Sequence, residues 1–443
     1  MLPDDPVLLD NPVLPAAFPW AGLLALATAA FTDVTTDLLP AGLLPQMSGS
    51  LHVPEARAGL LVGAFAVASA LAALPVTAAL RGLPRRPVLQ CVLAGFALLD
   101  AITAVLPWYP LTFAARLLAG VMGGTLWSML AGYAARMVPA AQRGRAIAVV
   151  LAGITVALCA GIPAGAALAG VLGWRAVFGL LAALALLLVP GVRGRVPALP
   201  GEPSARRRSR PGQQRRRSRP GQQRRRSRPG QQRRPALRQV ATGPGVPAIL
   251  AVTLLLLTGH QAMYTYVAPF APHRAGAVLL VFGLATAAGI GITGIAADRH
   301  LRAALLTALA GIAAAMGALG LAGHQPAVLL GAATLWGAAF GGAPALLQTA
   351  LVDAAGPARA DVATALQTTA YNAGIAAGSV AGGLALGQAG AAVLPWVTLA
   401  CCAAALGAVA AARRHAFPAA RADSAPPSLD EADAGAINTY CRQ

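Results

Sequence analysis

Apolar residues run through this chain in long blocks with no polar face. Examples are LLALATAAF at 23–31 and LLAALALLLV at 180–189. Neither the alternation of a half-buried strand nor the single stripe of a surface helix describes such runs. They have the pattern of segments surrounded by lipid, where a helix needs about 20 mostly apolar residues to cross the hydrocarbon. Twelve such segments can be marked. Six lie near 20–45, 57–80, 87–106, 111–137, 145–170 and 175–190, and six near 247–270, 276–297, 303–322, 327–350, 361–386 and 391–411. Turn chemistry separates them, at Leu83-Pro84, Pro107 to Pro110, Val138-Pro139, Gly323 to Pro326 and Gly356-Pro357. The predicted fold is an all-α integral membrane protein with twelve transmembrane helices in two six-helix bundles. It has an N-terminal tail 1–16, a first bundle 17–190, a linker 191–246, a second bundle 247–412 and a tail 413–443.

Composition agrees. Of 443 residues, 57% are hydrophobic and 11% charged, against about 25% charged in a soluble domain. A soluble enzyme, a disordered chain and a disulfide scaffold are excluded on this ground. The net charge of +19 is concentrated in one place: residues 206–234 hold 14 arginines and no acid, in three copies of RRRSRPGQQ. That block is polar, self-repelling and rich in Pro and Gly, so it is expected to be disordered. It suits contact of Arg206–Arg234 with anionic lipid head groups. A duplicated spacer in a tolerant linker explains it as well. Nothing aromatic or folded accompanies it, so nucleic acid is not an expected partner.

The other arginines set the orientation. With the N-terminus in the cytoplasm, the inner loops hold Arg81, Arg85, Arg86, Arg136, Arg143, Arg145, Arg299, Arg302 and Arg359, and the outer side only Arg57, Arg175 and Arg274. Both termini and the linker are therefore expected in the cytoplasm. Asp4, Asp5 and Asp10 replace the basic start of a cleaved signal peptide, so the first span should be retained. The five cysteines form no disulfide or metal pattern and read as packing residues. Walker, GxSxG and dinucleotide motifs are absent from the sequence, so neither an enzyme nor a bound cofactor is expected.

Polar residues inside the spans carry the candidate chemistry, because a charge at the membrane centre costs about 2.5–3.5 kcal/mol on insertion scales. Asp33 and Asp37 are one turn apart on span 1, Asp100 lies in span 3 and Arg116 in span 4. Carboxylates crowded in an apolar setting can exchange a proton, which suits a proton carrier. A structural hydrogen-bonding role is the alternative for each acid, and Arg116 serves either a cavity or an inter-helix ion pair. In the second half, His260, Gln261, Tyr264 and Tyr266 lie on span 7, Gln348 on span 10, and Gln367 and Asn372 on span 11. Uncharged polar and aromatic groups of this kind suit a neutral or amphipathic solute.

Several motifs make the layout specific. Gly294, Asp298, Arg299 and Arg302 follow span 8 with the spacing G-x-x-x-D-R-x-x-R; Thr77 and Arg81 stand at the Gly and Asp positions of the corresponding stretch in the first half, before Arg85 and Arg86. Span 5 carries Gly161, Pro163 and Gly165, followed by Gly173-Trp174-Arg175, and span 1 carries Thr35-Thr36-Asp37 with Pro40, Gly42 and Pro45. Together these resemble the major facilitator superfamily, in its drug/proton antiporter branch, and are similar to arabinose-efflux-type and chloramphenicol-efflux-type permeases. The resemblance spans about 17–412 without the linker.

It implies export of a drug, sugar or metabolite by proton antiport with alternating access, as a monomer in a bacterial plasma membrane, powered by the proton gradient. Asp37, Asp33 and Asp100 would couple protons. Arg116, His260, Tyr264, Gln348 and Asn372 would line the substrate cavity. Gly294, Asp298, Arg299, Arg302, Arg85 and Arg86 would form the gating motif, and Gly161, Pro163 and Gly165 the antiporter motif. An uncoupled facilitator or importer, or a receptor without transport, is the alternative.

The arginine asymmetry makes a prediction. A cysteine placed at Pro220, in a background free of other cysteines, should react with an impermeant maleimide only from the cytoplasmic side. Labelling from outside intact cells would reverse the topology.

Overall fold

The computed structural model of the chain describes residues 18–80, 82–199, 237–356, 359–412 and 416–417. The Arg206–Arg234 block lies outside them. The first half consists of α1 (Trp20–Leu51), α2 (Glu55–Leu80), α3 (Arg85–Val105), α4 (Tyr109–Arg136), α5 (Arg143–Val156), a π-helical turn at Ala157–Gly161, α6 (Ile162–Leu172) and α7 (Trp174–Arg195). The second half has α8 (Leu237–Ala241), α9 (Val246–Tyr264), α10 (Val267–Phe270), α11 (Ala275–Ala322), α12 (Pro326–Ala355), α13 (Ala360–Ala389) and α14 (Leu394–Ala411).

Among the described residues, eleven stretches are long and apolar enough to cross a bilayer. Leu71, Val105, Val171, Leu187 and Leu321 are each at least 70% exposed on the outer surface, a belt that water would not tolerate but lipid does. Helix α13 is the remaining expected span. Its thirty residues suffice in length, but Gln367, Thr368, Thr369 and Asn372 dilute its apolar character. It tolerates them because it packs along α2 and α9 rather than facing lipid on every side. Two further details concern the joints between spans. Spans 8 and 9 are separate, as expected, but no loop intervenes: within the stretch labelled α11 the first helix ends and the second begins at a kink where His300 is non-helical (φ −140°, ψ 49°). Span 5 is interrupted by the π turn just before Pro163, which has no N–H to give to a carbonyl one turn back.

The two halves repeat one packing device. Helix α4 crosses α2 so closely that a Cβ at Gly120 would run into the Phe65 carbonyl, and one at Gly124 into the Ser69 carbonyl. In the second half, Gly337 and Gly341 of α12 meet the carbonyls of Phe282 and Thr286 on α11 in the same way. Glycines four apart let two backbones touch, which replaces the hydrophobic driving force that lipid cannot supply.

The main apolar core of the second half continues into the first through Ala41, Leu44, Ala58, Val62, Ala66 and Ile162, so the halves share a seam. At the end where α1 begins and α14 ends, which is the terminus-bearing end of the described residues, Arg86 donates to the Arg193 carbonyl at 3.1 Å, and the Arg145 guanidinium lies over the Phe18 and Trp20 rings. These contacts tie α3 to α7 and α5 to the start of α1.

Gly120→Val should therefore lower the thermal stability of the detergent-solubilised protein, by the ~1–3 kcal/mol typical of overpacking or more. Gly132→Ala, also in α4 but with nothing near its added carbon, should be neutral or stabilising by up to about 1 kcal/mol. Equal melting temperatures for the two variants would show that the α2–α4 crossing is not tight.

Candidate functional site: a cavity between the halves

A cavity of about 300 Å³ opens where the two halves meet. The first half contributes Asp33, Asp37, Phe65, Ser69 and Trp127, and the second His260, Tyr264, Phe340, Gln348 and Asn372, among others. Followed along their helices, the lining residues extend from Asp37 and Tyr264 toward Trp127, Gln348 and Gln367, on the side where α1 begins and α14 ends. The opposite end is shut by Tyr266. Its hydroxyl donates to the Ser379 carbonyl at 2.7 Å and lies 3.3 Å from the Ala56 carbonyl of the other half. Its ring also fills the space a side chain at Gly59 would need.

Asp33 and Asp37 occur together because α1 places them one turn apart on one face. Each has an Oδ1 enclosed by protein with no hydrogen-bond partner. Asp100 sits elsewhere. It is 1% exposed, accepts a hydrogen bond from the Thr36 hydroxyl at 2.9 Å and does not line the cavity.

Arg116 corrects the expectation that it lines the substrate cavity. It is fully buried behind α1, beside the Phe65 ring. Its donors go to main-chain carbonyls, Thr36 at 2.7 Å, Asp37 at 3.0 Å and Leu61 at 3.4 Å, and not to the carboxylates. The reason lies in the sequence of α1. Pro40 cannot donate to the Thr36 carbonyl four residues before it, and the guanidinium supplies the missing donor. Thr36 thus links two charged groups that do not touch, its carbonyl bonded to Arg116 and its hydroxyl to Asp100.

The opposite wall is aromatic. His260 stacks on Phe340 with centroids 3.6 Å apart and planes 9° from parallel, and Tyr264, Phe282 and Trp336 surround it. The Trp336 indole N–H donates to His260 Nδ1 at 3.1 Å. Gln367 donates to the Thr253 hydroxyl at 3.2 Å and Asn372 to the Thr368 carbonyl at 3.0 Å, which fixes both amides at the cavity edge.

The antiporter-motif residues pack directly on α1. Gly161 lies against Phe31 and Thr35, Gly165 against Leu39, and Pro163 is buried between them. Of the gating-motif residues, Gly294 and the side chains of Asp298 and Arg299 lie outside what is described, as do Arg81 and the side chain of Thr77. Arg302, Arg85 and Arg86 stand at the terminus-bearing end, away from the cavity. Among the described residues no group of three His, Cys, Asp or Glu side chains converges to hold a metal ion. Phe65, Trp127, Phe282, Phe340 and Tyr371 also line the cavity. Sequence reading passed over them because an aromatic in an apolar run is indistinguishable from core.

The family model of the Major Facilitator Superfamily matches residues 24–276, more than half of the chain. Solved structures share the fold over nearly their full length. A peptide transporter, POT, has a TM-score of 0.69 at 11% identity, covering 90% of this chain and 96% of that one. A bacterial homolog of the human lysosomal transporter Spinster, inward-facing and unoccupied, gives 0.64 at 14% identity, with 91% and 97% covered. The human organic anion transporter TETRAN gives 0.57 at 18%, with 88% and 98% covered.

Arg116→Leu should strand the Thr36 and Asp37 carbonyls, and one buried unsatisfied group costs about 1–3 kcal/mol. A clear drop in melting temperature is expected for Arg116→Leu, and a smaller one for Arg116→Lys, which can still donate. Restoring an ordinary helical bond with Pro40→Ala in the Arg116→Leu background should recover part of the loss. No recovery would mean that Arg116 does not serve the carbonyl that Pro40 frees.

Proposed function

The chain belongs to the major facilitator superfamily, and from that premise we propose that it is a secondary active transporter exporting a small organic solute in exchange for protons across a bacterial plasma membrane. The observation that carries this reading is the pair Asp33 and Asp37, set in a cavity at the seam of two similar halves, each with an unpartnered carboxylate oxygen. A site near the middle of the bilayer, at the interface of two repeats, can be reached from either side as the halves rock. The cavity extends toward the terminus-bearing end and is closed by Tyr266 at the other. With both termini in the cytoplasm, as the arginine bias favours, this is an inward-facing arrangement ready to load a solute from inside.

Three carboxylates lie around a single guanidinium in this region, a surplus of acid that protons can neutralise. Protons arriving from outside would occupy the Asp33–Asp37 pair and displace the solute. Their release to the cytoplasm would reset the site. The packing of Gly161 and Gly165 on α1 lets the fifth span move with the helix that bears the acids. Drug, sugar and metabolite all remain within this class, and the chain is expected to work as a monomer.

Asp37→Asn should abolish solute-driven proton movement while the protein still inserts and folds, because the amide keeps the shape but cannot exchange a proton. Asp33→Asn should have a smaller effect or shift the pH optimum. The measurement is counterflow and proton release in proteoliposomes across a pH series, for the wild type and both variants. Undiminished, pH-independent transport by Asp37→Asn would point to an uncoupled facilitator.

A further inference from the structure

His260 is the side chain of the cavity whose chemistry the transport reading leaves unused. An indole N–H can only donate, so the bond from Trp336 at 3.1 Å requires a bare lone pair on His260 Nδ1. The ring proton is then on Nε2. Phe340 stacks on one ring face at 3.6 Å, and Phe282, 5.7 Å from the imidazole and 6.2 Å from Phe340, flanks the ring at its side. His260 nevertheless lines the cavity. Its Nε2 has no protein partner and is not among the enclosed unpartnered atoms, which leaves it the polar atom facing the open space.

We propose that His260 is a specificity-determining residue: a neutral hydrogen-bond donor, held in one tautomer by Trp336, that recognises an acceptor oxygen on an aromatic solute whose amine end faces Asp33 and Asp37. This rests on the transport reading of the same cavity and adds the class of solute. The walls are complementary in a simple sense. The first half offers carboxylate acceptors without donors, and the second offers a donor without an acceptor. Phe65, Trp127, Phe282 and Phe340 flank the space between them, suited to a flat ring. No Arg or Lys is among the lining residues, because Arg116 is turned to the backbone of α1. A carboxylate-bearing solute would meet two acids and no cation that it could bond to.

Placement by repeat supports the division of labour. Gly161 and Gly165 pack on Phe31, Thr35 and Leu39 as Gly378 and Gly382 pack on Thr258, Ala262 and Tyr266. Asp33 and Asp37 therefore occupy the positions in α1 that His260 and Tyr264 occupy in α9. The same two sites carry acceptors in one half and donors in the other.

A matched set of probes tests this: butyrophenone with a terminal dimethylamino group, the same amine with the carbonyl reduced to methylene, and butyrophenone itself. Binding to the full-length protein in nanodiscs is followed by calorimetry. The aminoketone should bind the wild type best, and loss of either the carbonyl or the amine should weaken binding roughly tenfold or more, since a site built to hydrogen-bond a group discriminates against its absence. His260→Gln, which can still donate, should keep the preference for the ketone. His260→Phe should lose it, binding the ketone and methylene amines alike, with folding checked by melting temperature. Nitrogen-15 spectra of labelled histidine should show His260 with its proton on Nε2, and a mixture of tautomers in Trp336→Phe. Equal binding of the two amines to the wild type, no binding of the aminoketone, or a proton on Nδ1 would each overturn the proposal. Intact binding preferences without proton-coupled flux would instead sink the transport reading and leave this one standing.

Discussion

A proline in a membrane helix leaves a carbonyl without a donor, and hydrocarbon contains no water to supply one. Of the several prolines inside the helices of this chain, Pro40 frees the Thr36 carbonyl, and the donor is Arg116, from a helix whose glycines bring it against α2. Much of the site depends on that repair. By holding the carbonyls of Thr36 and Asp37, the guanidinium fixes the turn of α1 from which Asp37 projects and orients the Thr36 hydroxyl toward Asp100. A cation buried to serve a backbone also leaves its charge near three carboxylates without pairing to any of them. A direct ion pair would have held one acid permanently charged and unavailable.

The two halves share their scaffold and divide their chemistry. The crossings of α2 with α4 and of the first part of α11 with α12 use glycines at matching places against the carbonyls of a matching Phe and hydroxyl residue. What differs is the cargo of α1 and α9: two acids in one, a histidine and a tyrosine in the other. Packing alone constrains backbone approach and leaves the cavity-facing positions free, so a repeated fold can acquire unlike walls.

Much of this was legible in the sequence, for physical reasons. Lipid forces long apolar runs, so the spans stand out. A polar side chain in such a run needs a cavity or a partner, so Asp33, Asp37, His260, Tyr264, Gln348 and Asn372 stood out too, and the structure gathers them around one space. The same rule could not separate cavity from partner, so it did not show that Arg116 turns to the backbone of α1 or that Asp100 takes the Thr36 hydroxyl. Their positions depend on the bend at Pro40 and on side-chain reach, neither of which appears in spacing. Helix α13 shows the rule from the other side. Its polar residues keep it from being apolar enough to count as a span by composition, and they are tolerated because it lines the cavity and packs on its neighbours. The aromatic wall was invisible for the opposite reason, since Phe and Trp cost nothing in lipid and give no signal of facing inward.

Closure at the far end has to be firm enough to seal and weak enough to break. Its parts are small residues and one tyrosine. Gly63 lies against Ser379, Gly383 against the Ala56 carbonyl, and Tyr266 sits among them with its hydroxyl near carbonyls of both halves. A phenol has one proton, so it makes one of those bonds fully and the other weakly. When the halves part, the Ser379 bond can travel with the second half, since both its residues belong there. Only the longer contact, to Ala56, must be given up. The seal between halves is therefore mostly close packing of backbone and small side chains, which separates without stranding a charged group. On the other side of the cavity, Cys159 of the π turn donates to the Gly283 carbonyl of α11 at 3.0 Å, a soft sulfur bond across the same seam. A parting of the halves along this seam would thus break weak contacts only, and would strand no charged group.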